Sequence, residues 1–208
     1  MENNRFIKFL IALFVMALLS VSLATDGMEA QPHPRRVLNG IDVLREQDFA
    51  PLKGMRVGLV TNHTGLAADG TPTIDLLRQT DVCELVALFS PEHGIQGVAD
   101  EAVGSSVDKA TGLPIHSLYG KTRRPTPEML RGIDALVFDI QDVGARFYTY
   151  ITTMAYVMEA AARADIPFYV LDRPNPIGGV KVEGPVLDAD KTSFTGYMPI
   201  PVRHGLTV

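Results

Sequence analysis

Four short apolar runs limit what this chain can fold into more than any other feature. They lie at residues 57–60, 85–89, 135–138 and 168–171, and each empties into polar side chains. Near-continuous apolar runs of this length read as strands covered on both faces, and such strands belong to parallel sheets. The pattern predicts strands at 55–62, 84–90, 135–142 and 167–172. Helical patterns separate them. One helix is expected from about 71 to 79, with Thr71 as cap and Pro72 at its first position. The longest helix is expected over 145–164. A shorter one spans about 42–49, and another starts at Thr126 with Glu128 near its positive end. Residues 113–119 read as a short edge strand, since Pro114 cannot donate to a central ladder. The expected fold is α/β: a Rossmann-like, doubly wound, mainly parallel sheet with helices on both faces.

In such a sheet the strand exits share one edge, so residues distant in sequence converge there. The first exit carries Asn62 and His63. The second carries Glu92 and His93 within Ser-Pro-Glu-His-Gly. The third offers Asp139, Gln141 and Asp142, followed by Arg146. The fourth offers Asp172, Arg173 and Asn175. Asn62 and Asp172 also suit ordinary turns and caps. Two carboxylates flanking a crevice suit glycoside hydrolysis, one protonated and one ionised. Glu92 follows an apolar strand and is the leading acid; Asp139, Asp142 and Glu183 compete as its partner. Phe147, Tyr148 and Tyr150 could form a sugar platform, although Phe147, Tyr150, Ile151 and Met154 have core spacing.

Composition excludes several alternatives. The chain has 208 residues, of which 46% are hydrophobic, and a formal net charge of −5. That is enough for a real core, and no basic footprint for nucleic acid exists. The single cysteine, Cys83, precludes an intrachain disulfide and reads as a buried thiol. No P-loop, dinucleotide-binding glycine motif, G-x-S-x-G elbow or H-E-x-x-H occurs, and neither a cofactor nor a metal is expected. Arg5 and Lys8 precede an apolar stretch at 9–19, and Ser22-Leu-Ala24 offers a cleavage site. Residues 1–24 are therefore expected to be a cleavable signal peptide, leaving no stable membrane span and a secreted or periplasmic product. A linker at 25–36, a domain at 37–200 and the start of a truncated C-terminal domain at 201–208 complete the expected organisation.

Five motifs occur in order: Val60-Thr-Asn-His-Thr-Gly65, Phe89-Ser-Pro-Glu-His-Gly-Ile95, Asp139-Ile-Gln-Asp-Val-Gly-Ala-Arg-Phe-Tyr-Thr-Tyr150, Leu171-Asp-Arg-Pro-Asn-Pro-Ile-Gly-Gly179 and Val182-Glu-Gly-Pro185. Over residues 37–208 the chain resembles the NamZ-type exo-β-N-acetylmuramidases, glycoside hydrolase family 171. The resemblance implies release of N-acetylmuramic acid from non-reducing ends of peptidoglycan fragments, in cell-wall turnover and salvage. Muropeptides or disaccharides would be the partners, and no nucleic acid. It implies Glu92 as the catalytic carboxylate, His93 supporting it and Glu183 joining the catalytic set. Asn62, Asp139, Gln141, Arg146, Tyr148 and Arg173 would bind substrate. It also implies a second, C-terminal domain that is missing here, so the isolated chain is expected to hold half a cleft. Two other readings remain: a non-catalytic binding protein for wall sugars, and a metal-dependent amide or ester hydrolase.

Overall fold

The computed structural model describes residues 37–97 and 104–208. The expected signal peptide and linker lie outside the described residues, as does the middle of the long loop after the second strand. Residues 37–208 form one compact unit. Among the described residues its six strands are β1 (Arg56–Thr61), β2 (Glu84–Ser90), β3 (Ser106–Val107), β4 (Pro114–Ser117), β5 (Ala135–Asp139) and β6 (Phe168–Val170). They are ordered β3-β4-β2-β1-β5-β6. All pairings are parallel except β3 with β4.

Alternating side chains of the same strands feed two cores. Val57 and Leu59 of β1 and Val137 of β5 pack with Ile41, Leu44 and Leu77. These last come from α1 (Gly40–Glu46) and α2 (Thr73–Gln79), which therefore cover one face. Val60, Phe89, Leu136 and Phe138 pack with Tyr150, Met154 and Val157 of α3 (Tyr150–Ala164) on the other face. The sheet is therefore covered on both sides, which is why its strands lack polar alternation. Cys83 is buried in the first of these cores, and desolvation pushes its thiol pKa up.

Several expectations need correction. Residues 113–119 do not form an edge: the long loop contributes β3, which pairs outside β4 through Ser106 and Val107. No helix forms at Thr126. A single turn closes there, with Leu130 N–H donating to Thr126 O, before Gly132 turns the chain into β5. The long helix begins at Tyr150 instead of 145, because Ala145 and Arg146 pair with the backbone of Arg203 and Val202. That shift leaves Phe147 59% exposed, whereas Tyr150, Ile151 and Met154 are core. Pro72, and not Thr71, occupies the cap position of α2.

Residues 192–208 lie against α3 and the strand exits. Tyr156 meets Tyr197 edge-on at 5.1 Å, and the Tyr197 hydroxyl donates to Glu159. Arg124 also pairs with Glu159, at 3.2 Å. These partners hold the Glu159 carboxyl below its ordinary value of 4.5, the Tyr197 hydrogen bond contributing most. A depressed carboxyl stabilises the fold above its unfolded pKa and loses that contribution as pH falls through the folded one. The melting temperature of Glu159→Gln is therefore expected to lie below wild type at pH 7, and the gap is expected to close towards pH 3.

Close backbone approach explains one glycine. A Cβ at Gly40 would sit 2.4 Å from the Leu171 Cα, and Gly40 N–H donates to Asp172 O at 2.7 Å. This contact seats the start of α1 on the exit of β6. Gly40→Ala is expected to destabilise by about 1–3 kcal/mol in urea titrations. Gly104→Ala, where a Cβ meets nothing within 4 Å, should leave the midpoint unchanged.

Candidate active site

Strand order reverses beside β1, with β2 and β4 on one side and β5 and β6 on the other. The switch point falls between Thr61 and Asp139, which are register partners. Ligands bind at such points because the loops leaving the two strands diverge there.

The floor of this crevice is a buried ion pair. Asp139 is 0% exposed. Arg173 Nε donates to its Oδ1 at 2.6 Å and Nη2 to its Oδ2 at 3.0 Å, and the Thr73 hydroxyl donates to Oδ2 as well. Arg173 Nη2 also reaches Leu66 O at 2.8 Å. Burial pushes the Asp139 carboxyl up, while Arg173 and Thr73 oppose that shift. Both residues were expected to bind substrate; here Asp139 is held by Arg173 and Thr73, and Arg173 by Asp139 and Leu66 O.

Asn62 closes the β1 exit. Its Oδ1 accepts from Thr64 N–H at 2.9 Å and from the Thr64 hydroxyl at 2.6 Å, an Asx turn. The Thr64 oxygen in turn accepts from Gln141 N–H at 2.9 Å, linking the exits of β1 and β5. The Gln141 side chain donates to Asp142 O and Pro174 O, bracing the loop after β6.

Glu92 stands two residues beyond β2 and is half-buried. The Thr149 hydroxyl donates to its Oε2 at 2.5 Å. Across the register pair Ser90–Ser117, Tyr119 stands two residues beyond β4. Its hydroxyl faces Glu92, whose carboxylate pushes the phenol pKa up. Tyr150 joins from the start of α3. Burial raises its phenol pKa first, then Tyr148, and Asn62 and Glu92 act on it too. Tyr148 and Tyr150 meet edge-on at 4.8 Å. The tertiary structure thus gathers Glu92, Asn62, Tyr148 and Tyr150 from the expected residues, and adds Thr149 and Tyr119. Thr149 lay inside a quoted motif, but its hydroxyl carried no signal. Tyr119 was the last residue of a segment read as an edge strand.

Other expected residues go elsewhere. His93 has a left-handed backbone, φ 68°, and lines a different cavity of about 420 Å³ with Ser106, Asp108 and Lys109. Arg146 Nη1 donates to Pro185 O at 2.7 Å and Ile200 O at 2.6 Å, so it braces the closing segment. Asp142 is buried; its Oδ2 accepts from Gly144 N–H at 2.7 Å and lies 3.4 Å from His204 Nε2. Glu183 alone of the three candidate partner carboxylates is exposed, its side chain at 59%, and Arg203 Nη1 holds it at 2.8 Å. Among the described residues no group of three or more His, Cys, Asp or Glu could hold a metal ion.

The mainly parallel sheet, wound in both directions from β1 and carrying its polar groups at the strand exits, makes this a Rossmann-like α/β domain. The chain belongs to the family described as exo-beta-N-acetylmuramidase NamZ, N-terminal, whose model matches residues 57–208. It is 48% identical over 203 residues to the peptidoglycan beta-N-acetylmuramidase NamZ of Bacillus subtilis, a match covering 96% of this chain and 49% of that protein. Two DUF1343 family proteins of Bacteroides fragilis share the fold. One has a TM-score of 0.78 and 53% identity, covering 84% of this chain and 44% of its own. The other has 0.70 and 39%, covering 83% and 44%. The chain spans about half the length of these relatives.

Arg173→Leu would leave Asp139 buried without its cation. A loss of about 3–5 kcal/mol in unfolding free energy is expected by urea titration. The double change Asp139→Leu with Arg173→Leu should recover part of it.

Proposed function

We propose that this chain is the N-terminal part of a peptidoglycan-directed glycosidase that releases N-acetylmuramic acid from non-reducing ends of wall fragments, in cell-wall turnover. The observation that carries the reading is the seat of Glu92. This carboxyl sits at the carboxyl edge of the sheet, takes a hydrogen bond from Thr149 and interacts with Tyr119 and Tyr150, the latter packed against Tyr148. Family membership and the name of the Bacillus subtilis relative support the same reaction.

Glu92 is the proposed proton donor to the leaving glycosidic oxygen. Thr149 and Tyr119 orient it. Glu183 is the proposed second carboxylate, since Asp139 and Asp142 are buried and bound by the protein. Asn62 and Tyr148 are proposed to meet the sugar, and His93 to shape the loop that presents Glu92. The reaction takes place outside the cytoplasm, to which residues 1–24 direct the chain.

The test is hydrolysis of a chromogenic β-N-acetylmuramide by wild type and Glu92→Gln, with ligand binding measured alongside. Glu92→Gln is expected to cut turnover by about 10²–10⁴-fold while binding survives. Equal turnover by the variant would sink the assignment of Glu92. Binding without hydrolysis by wild type would favour a sugar-binding protein, and activity abolished by chelation would favour a metal-dependent hydrolase.

A further inference from the structure

The loop after β4 carries two consecutive arginines with different fates. Arg124 is fully engaged: its guanidinium lies 3.4 Å from the Tyr156 ring centroid and its Nε donates to Glu159 at 3.2 Å. Arg123 instead rests on the rings that border the active site. Its Cζ is 4.1 Å from the Phe194 centroid and 5.9 Å from that of Tyr119. Those two rings stack at 6.0 Å with an interplanar angle of 26°. Arg123 is exposed and forms no ion pair among the described residues.

Its position is not left to a flexible loop. The Thr122 hydroxyl donates to Arg124 O at 2.7 Å and accepts from Arg124 N–H at 3.1 Å, which pins the turn. Phe194 is held in the segment that Tyr197 anchors to α3. The same Tyr119 ring that supports Arg123 turns its hydroxyl to Glu92, and Arg123 and Glu92 act on that phenol in opposite directions. A preformed cation therefore flanks the proposed proton donor, one tyrosine away.

The other arginines at this edge are spent on the protein itself. Arg173 is buried against Asp139, Arg146 donates to two carbonyls, and Arg203 pairs with Glu183. An N-acetylmuramoyl residue differs from an N-acetylglucosaminyl one by a lactyl ether, and thus by one carboxylate. An exposed guanidinium seated over an aromatic ring can match a carboxylate through paired N–H donors.

We propose that Arg123, seated on Phe194 and Tyr119, receives the substrate's carboxylate and sets the preference for muramoyl over neutral amino sugars. The proposal rests on the glycosidase reading of this site and names its specificity determinant. Losing one charge-assisted contact corresponds to about a 10- to 100-fold loss.

The experiment compares binding of N-acetylmuramic acid and its carboxyl methyl ester to the full chain by calorimetry, so that turnover is not needed. Wild type is expected to favour the acid. Arg123→Ala should reduce the acid-to-ester affinity ratio by about 10- to 100-fold, with ester affinity little changed. Arg123→Lys should retain part of the preference, because the charge remains but the fork is lost. Phe194→Ala should lower the ratio while keeping the charge. An unchanged ratio in Arg123→Ala, or a loss produced by Lys121→Ala alone, would overturn the proposal and leave the glycosidase reading standing. Failure of wild type to bind either ligand would overturn both.

Discussion

The Asp139–Arg173 pair is the interaction on which the functional edge depends. It joins the end of β5 to the loop leaving β6, and Thr73 and Leu66 bring in the start of α2 and the loop leaving β1. Four segments thus meet on this one ion pair at the topological switch point. A buried pair like this is a weak net stabiliser, since desolvation offsets much of the attraction. Its effect is on geometry. Any rearrangement of those loops would leave a buried charge without a partner, so they have one arrangement.

On that floor the site is assembled from the exits of neighbouring parallel strands. The register pair Ser90–Ser117 places Glu92 beside Tyr119. The loop before α3 then delivers Thr149 to the carboxylate from the other side of the switch. The closing segment contributes through aromatic contacts, with Phe194 on Tyr119 and Tyr197 on Tyr156. It also satisfies Arg146, whose guanidinium donates to Pro185 O and Ile200 O. Much of the polar chemistry in the quoted motifs is therefore structural. Arginine, glutamine and asparagine residues hold irregular loops in shape by bonding backbone groups that no strand or helix satisfies.

Much of the sheet was legible. The reading of residues 84–90 coincides with β2, and β1 and β5 lie inside their expected spans. Continuous apolar runs are a strong signal because both faces of a parallel sheet are buried. The failures share a cause. Residues 145–149 have helical composition, yet Ala145 and Arg146 pair with Val202 and Arg203 from the far end of the chain. Residues 114–117 look like an edge, yet a two-residue strand from the preceding loop covers them. In the site, Glu92 was legible as a carboxyl at a strand exit. The separate directions of Glu92 and His93 were not, since a left-handed residue at His93 turns the chain between them.

What the sequence determined alone was local: where apolar runs end, which side chains stand at each exit, and that the runs alternate with helices. Periodicity and composition act over a few residues, and those features are short-ranged. Only the tertiary structure decided which polar groups stay exposed at the strand exits and which are bonded within the protein. Asp139, Arg173 and Arg146 look as available as Glu92 and Arg123 in the chain. Burial and long-range partners separate them, because a polar group withdrawn from water must be bonded within the fold, and its partner is set by packing across strands far apart in sequence.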